Sequence, residues 1–336
     1  CPNNRPYHVA MPCLLRRHLA ALTSLTTWTT ELPLAAFVQR KWYGLSALGA
    51  LALLALDAFQ VTVSRFLGSS QPKTCRAWAS SWSCCSWTPG SIARKHGDLR
   101  VYVSHGVEET TGHTVKSQMR LQDFAELLSV AETAERCESS HGKPGTEAAT
   151  PYLKQLDLEV ELPDENLEYS KNLCELDVAL NWWGTSIRNY LWMGSLGCVT
   201  GLHCDDEDNF LVQCHGTKRV CLFPPDCAKH LYVNSKYDSG TLCCDVNVFE
   251  PDYKRHPLFR HVGKWEMVEL QRGDVLFIPA FWWHSVLTTS GTSISLNSFI
   301  SRPLERFGPR GLWRYALDFL HNYLGYRMGN CVCHAS

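Results

Sequence analysis

Hydrophobic and polar positions divide the chain into stretches of different character. Residues 42–63, WYGLSALGALALLALDAFQVTV, are apolar almost throughout, with Asp57 as the one charge and Arg40 and Lys41 just before. A run of that length can span a bilayer, although its Ala and Gly content keeps it only moderately hydrophobic. It reads either as a membrane anchor or as a buried hairpin of a soluble domain. The stretch from Met11 bears Arg, is rich in Ser and Thr and carries no acid up to Thr30. That composition suits an organelle transit peptide or an unstructured arm. CRAWASSWSCCSWTPG, residues 75–90, follows neither helical nor strand period and reads as a linker.

Past Gly90 the periods are short and regular. Leu99 to Ser104 is a β-type run, and Met119 to Glu135 places Leu121, Phe124, Leu127 and Leu128 on one helical face. From Asn189 onward come NYLWMG, VTGLHC, NFLVQCHG, TKRVCLFPP, KWEMVEL, GDVLFIP, WWHSVLTT and TSISLNSFI. Short strands at that spacing predict a mainly β barrel or sandwich with flanking helices, not a doubly wound sheet. HGTK joins Phe210–Cys214 to Lys218–Phe223, which reads as a hairpin. LWRYALDFLHNYL predicts a closing amphipathic helix, and the last ten residues read as a tail. The chain thus divides into a basic N-terminal region (1–90), a globular domain (91–302) and a C-terminal helix with its tail (303–336).

Composition sharpens this division. With 336 residues, 45% hydrophobic, the chain can bury a sizeable core. Its net charge of -1 lacks the basic excess of a dedicated nucleic-acid binder. That balance conceals 8 Lys and Arg against 2 Asp and Glu in residues 1–90, and 24 against 31 in the rest. The sixteen cysteines follow no repeating spacing. They read mostly as buried thiols, Cys214 and Cys221 lying inside apolar runs, with oxidised pairs as the alternative.

The chemistry concentrates at His203, Cys204 and Asp205. A strand's period of two turns His203 and Asp205 to one face and Cys204 to the other. His284, 81 residues on, lies in another predicted strand. Two imidazoles and one carboxylate on one face of a barrel are the donor set of non-haem Fe(II) oxygenases. A second H-x-D, His96 to Asp98, sits in a Gly-containing polar stretch and reads as surface. The run Asp205 to Asp208 reads as a solvated turn, and Cys331 to His334 as half a metal site in a disordered tail. Trp182, Trp183, Trp192, Trp282 and Trp283 read as barrel core and rim.

With T-x-x-H-x-D-x-x-x-N-F from Thr200, G-x-K-R around Lys218 and G-D-V-L-F-I-P-x-x-W-W-H from Gly273, the sequence resembles the JmjC/cupin-like Fe(II)- and 2-oxoglutarate-dependent oxygenases. The similarity runs from about Leu99 to Arg302 and is nearest the small hydroxylase branch, which includes protein asparaginyl and tRNA wybutosine hydroxylases. It implies a double-stranded β-helix, the jelly-roll barrel of cupins. It also implies Fe(II) on His203, Asp205 and His284, with 2-oxoglutarate and O2 as co-substrates. By the same resemblance Lys218, Thr200 and Tyr152 would hold the far carboxylate of 2-oxoglutarate, and Asn209 and Asn297 its iron-bound end. Gly201 departs from the family, which often has Pro there, and Cys204 stands where an aromatic is common.

The implied activity is hydroxylation, with a protein or peptide as the favoured substrate. A tRNA base, lysine demethylation and a catalytically silent binding module are the alternatives. A membrane enters only through residues 42–63, and location in the cytoplasm, nucleus, an organelle or on a membrane depends on the first 90 residues.

Overall fold

The computed structural model describes residues 69–107, 109, 115–138, 151–173, 186–302 and 308–332. Two antiparallel sheets face each other in a jelly roll. The larger contains, in spatial order, β1 (Lys73–Cys75), β11 (Val275–Ile278), β7 (Asp208–His215), β13 (Thr292–Ser301), β5 (Ser186–Ser195), β4 (Tyr152–Asp157), β2 (Arg100–Ser104) and β3 (Lys116–Arg120). The smaller contains β10 (Glu266–Leu270), β8 (Lys218–Phe223), β12 (Trp283–Thr288), β6 (Val199–Asp205) and β9 (Thr241–Cys243).

Alternation along the strands builds the layers. On β13, Ile294, Leu296 and Ile300 turn outward into a core cluster capped by α1 (Pro89–His96), α2 (Leu121–Glu138), α3 (Leu158–Glu161) and α4 (Pro163–Leu173). Ser295 and Asn297, on the opposite face, turn toward the small sheet. Leu211, Val220, Leu222, Leu276, Ile278 and Val286 fill the space between the sheets. Outside the small sheet, Leu202, Cys204, Cys221, Phe223, Cys244 and Trp283 form another cluster. On α2 the buried face is Leu121, Phe124, Ala125 and Leu128, whereas Leu127 is exposed.

Several sequence expectations change. Phe210–Cys214 and Lys218–Phe223 are not a hairpin: β7 pairs with β11 and β13, and β8 with β10 and β12. The chain crosses between sheets at Gly216, whose φ of +68° favours glycine and where a Cβ would stand 2.0 Å from Thr292 O.

Residues 75–90 are not a linker. β1 pairs with β11, and Ala79, Trp82, Cys84 and Cys85 belong to the core of the large sheet. Asp274 secures this strap, its carboxylate accepting from Arg76 Nη1 (2.6 Å), Ala77 N (2.8 Å) and Gln271 N (3.0 Å). Gly273 (φ +88°) admits the strap, since a Cβ there would fall 2.3 Å from Ser80 Oγ and 3.0 Å from Ser80 Cα. Thr88 then starts α1 with a capping box to Ser91.

The acidic run is not a solvated turn either. Asp206 and Glu207 pair with Arg314, Glu207 also with Arg188 and Ser301, and Asp208 Oδ1 accepts from Ala280 N at 2.9 Å. Arg314 belongs to α5 (Pro309–Leu324), which docks by its polar side. Asp318 accepts from Tyr237 and Ser239, and His321 is buried against the Tyr237 ring. Leu312, Trp313, Phe319, Tyr323 and Leu324 of the same helix are exposed. Cys331 is buried and bridges Tyr237, so the tail is ordered at least to Val332. His96 is half-buried against Glu165 at 2.9 Å. Cys75, Cys84, Cys85, Cys198, Cys204, Cys214, Cys221, Cys227, Cys243, Cys244 and Cys331 are free thiols, and of these all but Cys75 are buried.

The apolar run 42–63, Trp182, Trp183, Cys333 and His334 lie outside the described residues. Among the described residues no helix is long and apolar enough to cross a membrane.

Trp82 is 3% exposed and meets Tyr169 edge-on at 6.2 Å. Trp82→Ala is therefore expected to destabilise the protein by about 3–5 kcal/mol, read from urea unfolding. A chain starting at Ser91, which lacks the whole strap, should fail to give the same cooperative transition.

Candidate metal centre

The central strands of the small sheet bring the chemical groups together. His203 on β6 lies directly opposite His284 on β12, and Asp205 follows on the same face of β6. Their ligand atoms all lie within 4.8 Å of one another. Asp205 Oδ2 stands 3.8 Å from His203 Nε2 and 3.6 Å from His284 Nε2.

The hydrogen bonds orient all three donors. His203 Nδ1–H donates to Gly201 O at 2.7 Å and His284 Nδ1–H to Trp282 O at 3.0 Å. Because a carbonyl only accepts, both Nε2 lone pairs are left for another partner. Asp205 Oδ1 accepts from Thr241 Oγ1 at 2.8 Å, whereas the buried Oδ2 has no hydrogen-bond partner. Burial, reinforced by the neighbouring His203, lowers His284 to about 4 against the pull of Asp205, keeping that imidazole neutral. A buried carboxylate oxygen without a donor, facing two imidazole lone pairs, fits a divalent cation.

A bulge in β6 aligns the strand. The register with β12 shifts between His284 and Val286, so that Gly201 and Leu202 face Ser285 alone. With strict alternation Thr200 and His203 would point to opposite faces; the extra residue brings them to the same one. Cys204 points into the outer cluster, where burial, then Asp205, pushes its thiol up to about 12. The turn before β12 is fixed by Phe281 N donating to Asp205 O at 2.7 Å and by the Ala280–Asp208 bond. The acidic run thereby holds the segment that delivers His284.

The other residues named from the resemblance form two groups. Lys218 is 2% exposed, and its Nζ donates to Ser295 Oγ at 2.7 Å and Tyr152 OH at 3.3 Å. Thr200 Oγ1 donates to the same Tyr152 hydroxyl at 3.4 Å. Among the described residues no carboxylate pairs with Lys218, and burial lowers its amine to about 7. A buried amine ringed by hydroxyls fits an anionic ligand. On the large sheet Asn297 Nδ2 donates to Asn209 Oδ1 at 3.1 Å.

Ser295 was missed by the sequence reading but was discoverable, being two residues from Asn297 on one strand face. Glu109 was also missed. It is buried at the back of His203, and the segment around it has no strand or helix period that could have marked it.

Comparison with known proteins supplies the family. A model of the cupin-like domain matches residues 59–305, nearly three-quarters of the chain. The chain belongs to the cupin-like domain family. The match begins before the strap, in accord with the strap's place in the core.

Two sets of relatives align over shorter stretches. HSPB1-associated protein 1 of Bos taurus is 41% identical over 112 residues, 33% of this chain and 23% of the relative. The tRNA wybutosine-synthesizing protein 5 of Homo sapiens is 41% identical over 96 residues, 29% of each, and that of Gallus gallus 38% over 107 residues, 32% of this chain and 31% of the relative. The aligned stretches thus span less than a third of these relatives.

Co(II), added anaerobically at 100 times its Kd, is expected to stabilise the protein by about 2.7 kcal/mol. Asp205→Ala should abolish this shift in thermal unfolding while leaving the metal-free protein folded.

Proposed function

We propose that this protein is an Fe(II)- and 2-oxoglutarate-dependent dioxygenase that hydroxylates a protein side chain. One observation carries the reading: a two-imidazole, one-carboxylate cluster and a buried ammonium site share the interior of one sandwich. His203, Asp205 and His284 would hold the iron. Bound there with its co-substrate, the metal supplies dioxygen activation coupled to oxidative decarboxylation of 2-oxoglutarate to succinate and carbon dioxide.

The protein's own groups bind and orient. Lys218 neutralises the far carboxylate of the co-substrate in a site where water cannot compete, and the Tyr152 and Thr200 hydroxyls fix its direction. Asn209 and Asn297 present neutral amides that orient oxygen atoms at the near end without adding charge. The carbonyls of Gly201 and Trp282 keep the imidazoles in the tautomer that ligates through Nε2.

A protein substrate is favoured by the near-neutral charge, which offers no broad attraction to phosphates, and by a relative named for association with HSPB1. The relatives named for wybutosine synthesis in tRNA support the second reading, a tRNA base.

The full chain, supplied with Fe(II), ascorbate and 2-oxoglutarate, is expected to release succinate, and His203→Ala and Lys218→Ala should release little. Undiminished turnover by His203→Ala would sink the assignment. Peptide and tRNA pools, followed by mass spectrometry, separate the two substrate classes. A gain of 16 mass units marks hydroxylation, whereas loss of methyl groups would mark a demethylase. A folded protein that binds neither metal nor 2-oxoglutarate would be a silent module.

Binding should also move protons. Above about pH 7 the free Lys218 amine is mainly neutral, and a carboxylate beside it favours the charged form. Co-substrate binding should therefore take up nearly one proton at pH 8.5 and almost none at pH 6. Calorimetry in buffers of different ionisation enthalpy measures this. Absence of buffer dependence at pH 8.5 would contradict it.

A further inference from the structure

Behind His203 lies a buried ion pair that the proposed reaction does not use. Lys154 Nζ stands 3.1 and 3.2 Å from the two oxygens of Glu109, and the side chains are only 6% and 9% exposed. Burying two charges is costly, and an apolar pair of similar volume is often as stable or more so. Stability alone is therefore a weak reason for this pair, and its contacts point elsewhere.

Glu109 Oε2 accepts the Gly201 N–H at 2.9 Å, and Gly201 O accepts the His203 Nδ1–H at 2.7 Å. The carboxylate thus holds one end of the peptide unit on which the glycine sits, while the glycine carbonyl holds the imidazole. Asn234 Nδ2 donates to Glu109 O at 2.9 Å and fixes the backbone of the acid. The fit admits only glycine at 201. A Cβ there would fall 2.8 Å from Glu109 Cβ and 2.8 Å from Val107 Cγ1. Proline, often found at this position in the resembled family, would also lack the N–H that Glu109 accepts. The departure at Gly201 and the buried acid are therefore one feature.

We propose that Glu109, held by Lys154, is a positioning residue for His203, acting through Gly201 at the bulge of β6. The proposal rests on the reading of His203 as a metal ligand. It makes the Glu109 acceptor, not its charge, the necessary element.

The test is anaerobic Co(II) titration of the full chain, read by visible absorption, alongside long-range proton–nitrogen NMR of the metal-free imidazoles. Glu109→Met with Lys154→Met removes the acceptor and leaves no orphan charge. It is expected to weaken Co(II) binding about 10–100-fold, to alter the cobalt spectrum, and to reduce the Nδ1–H tautomer of His203. Glu109→Gln with Lys154→Met keeps an acceptor and should bind Co(II) within about threefold of wild type. Gly201→Ala, which drives a Cβ into Glu109, should reproduce the loss if the double Met variant does not fold.

Wild-type affinity and an unchanged tautomer in the double Met or Gly201→Ala protein would overturn the proposal. Failure of the Gln variant to restore binding would overturn the hydrogen-bond route. A wild-type chain that binds no Co(II), yet shows the His203 tautomer changing with Glu109, would instead overturn the metal reading and leave the positioning intact.

Discussion

In the ladder between β6 and β12, Gly201 and Leu202 face Ser285 alone, and that extra residue sets the geometry of the interior. It lets Thr200, His203 and Asp205 share a face although their spacing is three and then two. Gly201 then turns its N–H to Glu109 and its carbonyl to His203. His203, Asp205 and the Thr200 hydroxyl that meets Tyr152 therefore come from one strand, and without the extra residue Thr200 would turn to the opposite face.

The rest of the fold holds that strand's surroundings still. β12 is fixed by pairing with β8 and by a turn tied to Asp205 and Asp208. β11, which precedes that turn, is covered at its edge by β1, with Asp274 gripping Arg76 and Ala77. In G-D-V-L-F-I-P-x-x-W-W-H the final His joins the two-imidazole, one-carboxylate cluster, but the opening Gly and Asp serve to admit and secure the strap. The acidic run likewise works as structure. Burial would raise Glu207, yet Arg188 and Arg314 hold it below the ordinary carboxylate range, and Arg314 carries α5 to the wall.

Polarity is arranged unusually in two places, each with a physical reason. β13 sends Ile and Leu to the helix-covered side and Ser295 and Asn297 to the interior, because the interior holds the polar site. α5 attaches through Arg314, Asp318 and His321 and leaves its aromatic side exposed. A periodicity argument finds such a helix, yet assigns its buried side wrongly, because it assumes that the apolar face is the one that packs.

The sequence by itself determined most strands from Asn189 onward, a barrel or sandwich class, and the placing of His203 with Asp205 on one strand face, because alternation with period two is local. The jelly-roll class was implied by the resemblance. That resemblance singled out Lys218 and Thr200 in the motif blocks and Tyr152 in a separate Y-L-x-Q at 152–155, and the structure places their polar atoms together. Only the tertiary structure decided that 75–90 is core, that β7 and β8 part company at Gly216, and that the acidic run is buried in ion pairs. Each of these depends on partners far along the chain: Asp274 for Arg76, Thr292 beside Gly216, Arg314 for Asp206. Glu109 is the clearest case, since its partners Lys154 and Gly201 lie 45 and 92 residues away and nothing in its own segment marks it.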